Sequence, residues 1–410
     1  MPAPLDTDSP QRARARNRRL VLDEVRKSAP VTRTQLGATV GLAKSTIKEI
    51  CDGLVADGLV EELPADTDAR RQGRPALPLQ ISSRRGNLLG IDVGADKVIS
   101  RVTTLGGRPL ATVRTRTRCS KPTRAQTLKT IGETARAALA EAGVSTDSIL
   151  TTVVGTPGVV DPTTELVTLA PQIDDWEGIH LSALVARELA LPKDQVRVER
   201  QADLSTIAEA RGGAAKDTQS ALYVHLGIGI GSGIITGGEL YKGFSGAAGE
   251  IGYMPHNFGD LAPPDSGFGP LEWAAGGHAF ARHGREAALD PSGARLRELA
   301  GGDPNRVDAE VVFTAAREGD RTATLLVERL VGRIAVGIAS VVCVLNPQCV
   351  IIAGGMSRAG GLLLHLLENN LKSLVPVVPE LRLSAFGDEG AVVGALYRAA
   401  DHTFDRLSPI

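Results

Sequence analysis

Leu88-Leu89-Gly90-Ile91-Asp92-Val93-Gly94 is an apolar run that carries one carboxylate near its end and closes on a glycine. It reads as a buried strand running into a turn, with Val98 to Thr103 as its return. A second hairpin of the same kind spans Ala221 to Thr236 and holds Gly227, Gly229, Gly231 and Gly233. A third glycine turn follows a strand in Val350-Ile351-Ile352-Ala353-Gly354-Gly355. The Gly229-x-Gly231-x-Gly233 run lacks the spacing of a dinucleotide fingerprint, and strand rather than helix follows it, which excludes a dinucleotide site there.

Glycines in hairpins also serve simply to allow tight turns. A strand ending in Asp-x-Gly, a later glycine-rich hairpin and a late Gly-Gly turn, in that order, say more. They point to an α/β, two-lobed actin-like (ribonuclease H-like) sugar-kinase fold, whose lobes close over a nucleotide and a sugar. Backbone N–H groups in such loops cradle phosphates, and an Asp can hold the metal. Asp92, Gly94, Gly229, Gly231, Gly354 and Gly355 are therefore the candidate, and here vestigial, phosphate-loop residues. The apolar run Ile334 to Leu345, closed by Asn346-Pro347, is too short to cross a bilayer and reads as a buried helix feeding a buried strand.

Working outward to the N-terminus, the texture changes. Residues 1–11 are rich in Pro and Asp and read as a disordered arm. A helix pattern begins near Arg14, carries Leu20, Val21 and Val25 on one face, and stops before Pro30. Thr32-Arg33-Thr34-Gln35 has the pattern of a capping box. The helix it opens, about Arg33 to Val40, ends at Gly41. A third helix runs from about Lys44 with Ile47, Ile50, Leu54 and Val55 spaced for burial. Two helices joined by a tight turn, the second with Lys44, Ser45, Thr46 and Lys48 on its first turns, describe a helix-turn-helix. Ala43 stands where a capping Ser would be expected, a loss of about 1 kcal/mol. Gly58 to Leu63 and Ala76 to Ile81 read as the strands of a wing, with Arg70, Arg71 and Arg74 at its tip and Arg74 suited to a minor groove. The DNA-contact candidates are thus Arg33, Lys44, Ser45, Thr46, Lys48, Arg70, Arg71 and Arg74.

Composition agrees with this division. Residues 1–86 hold 15 Lys+Arg against 11 Asp+Glu, and the remainder 31 against 36. A basic head on an acidic body suits a nucleic-acid partner. The N-terminus has no apolar segment of the kind that directs secretion, so a cytoplasmic location is expected, with Cys51, Cys119, Cys343 and Cys349 as free buried thiols. The expected units are 1–11 (arm), 12–82 (winged helix-turn-helix), 87–198 (first lobe, completed by 385–410) and 199–384 (second lobe).

With both halves in view, the chain resembles the ROK family (repressors, open reading frames and kinases) in its transcriptional-repressor branch. The motifs that carry the resemblance are Arg33-x-x-Leu36 through Thr46, Gly73-Arg74-Pro75, Gly155-Thr156-Pro157-Gly158-Val159-Val160-Asp161, Gly229 to Tyr253 and Leu271-Glu272. The family's kinases use the carboxylate of an Asn-Asp-Ala-Asn segment as the base that deprotonates the sugar. Here the segment is Arg200-Gln201-Ala202-Asp203, with Gln201 at the base. An amide cannot accept a proton at physiological pH, and loss of such a base removes about 10²–10⁴ of rate. Asp203 is expected to face elsewhere. Gly94-Ala95-Asp96-Lys97 puts an acid where the kinases have a Thr, which should repel a triphosphate. The chain is therefore expected not to be an enzyme.

The resemblance also implies a zinc site built from one His and three Cys. Tyr253, Pro263, Asp265 and Pro270 stand at those positions, so no zinc and no other cofactor is expected. Glu250 and Glu272 match positions that accept hydrogen bonds from sugar hydroxyls. Arg200, Gln201 and Tyr253 replace the other sugar contacts. Arg200 then has two readings: it recruits an anion such as a sugar phosphate, or it pairs with Glu250 or Glu272 in a pocket that binds nothing. The ligand candidates are Arg200, Gln201, Glu250, Tyr253 and Glu272.

The expected function is a sequence-specific regulator of carbohydrate-related genes. It would bind a double-stranded DNA operator as a homodimer or homotetramer and respond to a sugar or sugar-phosphate effector. The alternatives are a ligand-independent DNA- or partner-binding regulator with a vestigial pocket and, less well supported, an ATP-dependent sugar kinase.

Overall fold

Two five-stranded sheets of identical topology organise the chain from residue 87 onward. In the first, the strand order is Pro109–Arg116, Lys97–Thr104, Asn87–Val93, Ile149–Thr156, Val196–Arg200. The hairpin side is antiparallel, with Ile91 opposite Ser100, and the last two strands add in parallel. The second sheet repeats the plan with Glu239–Tyr241, Ile230–Thr236, Ser220–Leu226, Cys349–Ala353 and Glu380–Leu383. The first sheet's central strand, Asn87–Val93, is buried at every residue, as is Cys349–Ala353, which lies beside the central strand Ser220–Leu226 of the second. A computed structural model describes residues 10–64, 77–94, 96–117, 121–255 and 267–408. Arg70, Arg71, Arg74, Cys119, His256, Pro263 and Asp265 fall outside them.

Helices cover both faces of each sheet. Arg124–Ala142 and Leu181–Leu189 pack on one face of the first, around Ile131, Val154 and Trp176. On one face of the second lie Gly277–Leu289, Ala309–Arg317, Arg321–Leu345 and Gly361–Leu374, around Phe280, Leu330 and Ile338. The apolar run at 334–345 thus ends a helix that feeds the buried strand Cys349–Ala353. Its last turn is not wholly covered: Cys343 is exposed, against the expectation of a buried thiol, because it lies on the face turned away from the sheet.

Between the two sheets cross Gln201–Gly212 and the last long helix, Gly390–Leu407. A Cβ on Gly394 would overlap the backbone carbonyl of Leu204, and one on Gly233 would overlap the Thr206 hydroxyl. The crossing is thus built on absent side chains, which lets Gln201–Gly212 touch both lobes. Glu209, fully buried at the end of that helix, accepts hydrogen bonds from Ser384 Oγ and the N–H groups of Ala214 and Ala385, tying the second lobe's exit to the same point.

The head consists of Pro10–Ser28, Arg33–Val40 and Lys44–Ala56, followed by the strands Val60–Glu62 and Leu79–Ile81, paired antiparallel. Its first helix starts at Pro10, so residues 10 and 11 are helical, and the rest of the expected arm lies outside the described residues. It buries Val21, Leu22 and Val25, while Leu20 is 47% exposed. Val21 and Val25 thus lie on the expected face, and Leu22 rather than Leu20 completes it. Thr32 and Gln35 form the reciprocal capping box. Ala43 contributes no side-chain cap. Ile47, Cys51 and Leu54 are buried, with Ile50 and Val55 at the margin. The wing strands are shorter than the stretches 58–63 and 76–81. The head shares one apolar cluster with the last helix, in which Val21 and Leu22 join Ala395, Ala399 and Phe404.

Candidate functional site

The helix Lys44–Ala56 presents Lys44, Ser45 and Lys48 to solvent, with Thr46 half-buried beside them. Ile47 at the same end is buried, so the spacing of the core residues aims the polar ones outward. Lys48 pairs with Asp52 one turn on at 2.7 Å yet stays 73% exposed, a contact that water screens. Arg33 is placed differently. It lies 3.0 Å from Asp52 and 2.7 Å from Glu62, tying its helix to the recognition helix and the first wing strand. The exposed cationic edge thus consists of Lys44 and Lys48, with Arg33 engaged behind them.

The cleft between the lobes centres on the end of strand Val196–Arg200 and the start of helix Gln201–Gly212. Arg200 is the residue before that helix and is only 4% exposed. Its Nε and Nη2 donate to Asp203 Oδ1 at 3.1 and 2.7 Å, and Nη1 to Glu250 Oε1 at 2.5 Å. Nη2 also reaches the carbonyls of Ser232 and Ala248 at 2.7 and 2.8 Å. An anion would have to compete with two carboxylates already in place. The geometry therefore fits the reading in which Arg200 pairs with Glu250, and goes against anion recruitment. Asp203 does not face away from the site as expected. It turns back to Arg200 and is buried, and burial pushes its carboxyl up even with that cation beside it.

Gln201 points to the other side of the strand end, where its Nε2 donates to Asp92 Oδ1 at 2.7 Å. Asp92 is almost wholly buried, and burial raises it to about 7, with the Gln201 bond and Lys97 opposing and Asp96 and Asp388 adding to the rise. Gln201 thus serves as a donor to Asp92, whereas a base in its place would accept a proton from substrate.

Glu272 is the third residue of Pro270–Ala275, and its carboxylate accepts from Ile230 N at 3.0 Å and Gly269 N at 3.4 Å. Burial lifts it to about 7, with Glu250 adding to the rise. A Cβ on Gly229 would overlap Glu272 Oε1. That glycine therefore makes room for the carboxylate, and the phosphate-loop reading does not explain it. Tyr253 is 37% exposed, and burial with Glu272, Glu250 and Glu177 nearby raises its phenol. Glu250, Tyr253 and Glu272 therefore share one electronegative wall, with Glu177 of the first lobe facing it.

The other glycine loops are likewise occupied by the fold. Gly94 N donates to Lys97 O at 2.8 Å across a tight hairpin. Gly354 has φ +85°, and a Cβ there would strike Leu226 O, so only glycine fits. Gly231 and Gly355 are less constrained, with open space around Gly355. At the zinc positions, Tyr253 lies on the wall just described and Pro270 is the first residue of a helix, a position that suits proline. The sequence reading missed Glu199, Glu209 and Asp401. They tie the helices that cross between the lobes to the second lobe and the head, and a buried carboxylate among basic residues is a signal only once the tertiary partners are known.

The family model described as "ROK family" matches residues 88–402. The xylose repressor of Caldicellulosiruptor bescii is 25% identical over 93% of this chain and 94% of its own length. A crystal structure of a ROK family transcriptional regulator, a homologue of the E. coli MLC protein, covers 97% of this chain and 98% of its own with a TM-score of 0.75. At 21% identity it attests the fold, head included. A ROK family glucokinase from Streptomyces griseus, solved with glucose and AMPPNP, is 27% identical, covers 77% of this chain and all of its own, and gives a TM-score of 0.67.

Proposed function

Since the chain belongs to the ROK family, we propose that it is a DNA-binding transcriptional repressor of carbohydrate-related genes whose kinase-like body senses a ligand without phosphorylating it. One observation carries this reading: the solvent-facing Lys44, Ser45 and Lys48 of a helix-turn-helix are seated directly on a body whose base position is an amide bonded to Asp92. Phosphate contacts from such a helix give affinity, and polar side chains at base edges give sequence preference. The protein acts in the cytoplasm as a dimer. A two-fold axis then sets half-sites about 34–36 Å, or a multiple, apart.

The effector that suits the cleft is a neutral, hydroxyl-rich molecule. Glu250, Glu272 and Tyr253 supply acceptors, while Arg200 beside them is held by carboxylates. A charged sugar phosphate would meet that negative wall. No step of phosphoryl transfer is assigned, since Gln201 has no proton-accepting capacity and Asp96 places a like charge where a triphosphate would lie.

The test is selection of genomic fragments by the purified protein, followed by sequencing, with a thermal-shift panel of neutral sugars and their phosphates. Enrichment of a palindromic site, and stabilisation by a neutral sugar over its phosphate, are expected. Retention without sequence preference would overturn the regulator reading. A panel with no stabilising sugar would favour a ligand-independent regulator, the reading that Arg200's full engagement supports. Sugar-dependent ATP consumption would overturn the non-catalytic assignment.

A further inference from the structure

The head is fastened to the body by charge as well as by apolar contact. Arg26 Nη2 lies 2.7 Å from Asp401 Oδ1. The same guanidinium sits 4.5 Å over the Phe404 ring, and Arg19 lies 2.6 Å from Asp405. Asp401, 14% exposed, is also held by Arg211 at 2.6 Å, and Arg398 stands 3.6 Å away. Arg398 has a nearer partner in Glu199 at 2.7 Å. Glu199, 7% exposed, draws in Lys242 of the second lobe at 2.6 Å and His402 at 3.6 Å. Burial opposes ionisation of its carboxyl, but the hydrogen bond to His402 and the charges of Lys242 and Arg398 hold it well below the usual carboxylate range. Glu199 is the neighbour in sequence of Arg200, whose guanidinium holds the cleft carboxylate Glu250.

We propose that Glu199, Arg398 and Asp401 form an ion-pair relay that couples the closure of the cleft to the seating of the DNA-binding head. Arg398 is shared between two carboxylates at unequal distances. Whatever weakens its hold on Glu199 sends it to Asp401, where it competes with Arg26 and loosens the head. Whatever removes Lys242 from Glu199, as parting of the lobes does, draws Arg398 toward Glu199 and leaves Asp401 to Arg26. A cavity of about 200 Å³ lined by Asp161, Pro162, Lys242, Glu199, Arg398 and His402 gives these side chains room to exchange. The relay rests on the reading of the body as a sensor for the head, and it names the regulation of that site.

The test is hydrogen exchange of the full chain, read at the amides of the helix Pro10–Ser28, for Glu199→Gln, Asp401→Asn and the double variant. Glu199→Gln should raise exchange there about fivefold or more. Asp401→Asn should raise it further, and the double variant should match Asp401→Asn alone. Effects that multiply would mean separate routes and overturn the relay, as would no change in Glu199→Gln. Lys242→Met, at a half-exposed position, gives the opposite sign: exchange should fall, and a rise overturns the relay even if Glu199→Gln does not fold. Exchange is measured without DNA. A wild type that retains no genomic fragment overturns the regulator reading, while the exchange cycle still decides the relay.

Discussion

Replacing Arg200 by Met tests whether this side chain is a structural staple or a ligand-binding group. The guanidinium is buried and is the direct partner of Asp203, whose side chain is 3% exposed, and of Glu250, whose side chain is 24% exposed. Water can reach Glu250 when the cation is gone. It cannot easily reach Asp203, which would be left as an unpaired buried carboxylate. Breaking a buried pair on one side costs about 3–5 kcal/mol, and each kcal/mol moves Tm by about 2–4 °C in a domain of this size. The expected fall is on the order of 10 °C. Arg200→Met with Asp203→Asn removes both charges and should recover most of it. The pH dependence has a definite sign. Burial already raises Asp203 above its unfolded value, and loss of Arg200 raises it further. The folded variant then holds a proton that the unfolded chain releases, so its deficit against wild type is greatest at alkaline pH and narrows as pH falls toward 5. Thermal unfolding followed by circular dichroism across pH 5–8 reads both variants against wild type. A deficit below about 1 kcal/mol, within the range of an exposed pair, would refute the staple. A deficit that widens in acid, or no rescue by Asp203→Asn, would do the same.

Lys44→Ala should weaken DNA binding evenly across sequences and lower the slope of log affinity against log salt by about 0.9. Arg33→Ala should change that slope less, because Arg33 is engaged by Asp52 and Glu62; fluorescence anisotropy over a salt series compares the two. Gly229→Ala places a methyl group on Glu272 Oε1. It should destabilise the protein by about 1–3 kcal/mol in a denaturant titration and abolish any thermal shift by a sugar. Asp92 is raised to about 7 by burial, so folded protein binds a proton that unfolded chain has lost between about pH 4 and 7, and stability drains away over that window. Asp92→Asn keeps an acceptor for Gln201 without the titration. Its stability relative to wild type should therefore grow as pH rises from 5 to 8, and a constant difference would show that Asp92 does not titrate there.

The repeated strand plan was legible because both hairpins announce themselves in apolar runs closed by glycine, Leu88 to Gly94 and Ala221 to Thr236. The capping box at Thr32 and Gln35 was legible because its partners are three residues apart. Arg200 was not. Sequence alone left two fates open, since its decisive partner Asp203 is near in sequence but its rotamer depends on Ser232, Ala248 and Glu250, which come from the second lobe. Gly229 and Gly354 were readable as loop glycines but for a different reason from the one that holds. They give way to Glu272 and to the Leu226 carbonyl, contacts that no local pattern encodes. Asp401 and Glu199 were invisible for the same cause: Arg26 and Asp401 lie 375 positions apart and Arg398 and Glu199 lie 199 apart, and a charged side chain is by default solvated.

The substitutions at the cleft make sense together rather than one by one. A glutamate at position 201 would bring a second carboxylate to within hydrogen-bond distance of buried Asp92, where Gln201 now donates at 2.7 Å. Two carboxylates that close cannot both ionise, so an empty cleft would carry either a bound proton or a repulsion that only a bound cation relieves. Gln201 removes that conflict, and Arg200 with Asp203 removes a second one on the opposite side of the strand end. The cleft is thus made stable when empty, which suits a sensor that must persist without its effector. Gln201→Glu, which keeps the reach of the native side chain, should reverse this without creating a kinase, because Asp96 and the Arg200 staple remain. Its folded form should take up a proton that the unfolded chain gives up. The variant's deficit in thermal unfolding should then be small near pH 5 and grow toward pH 8, while ATP consumption with hexoses stays at background. A deficit of equal size at both pH values would show that the two carboxylates do not meet, and the empty-cleft argument would fall with it.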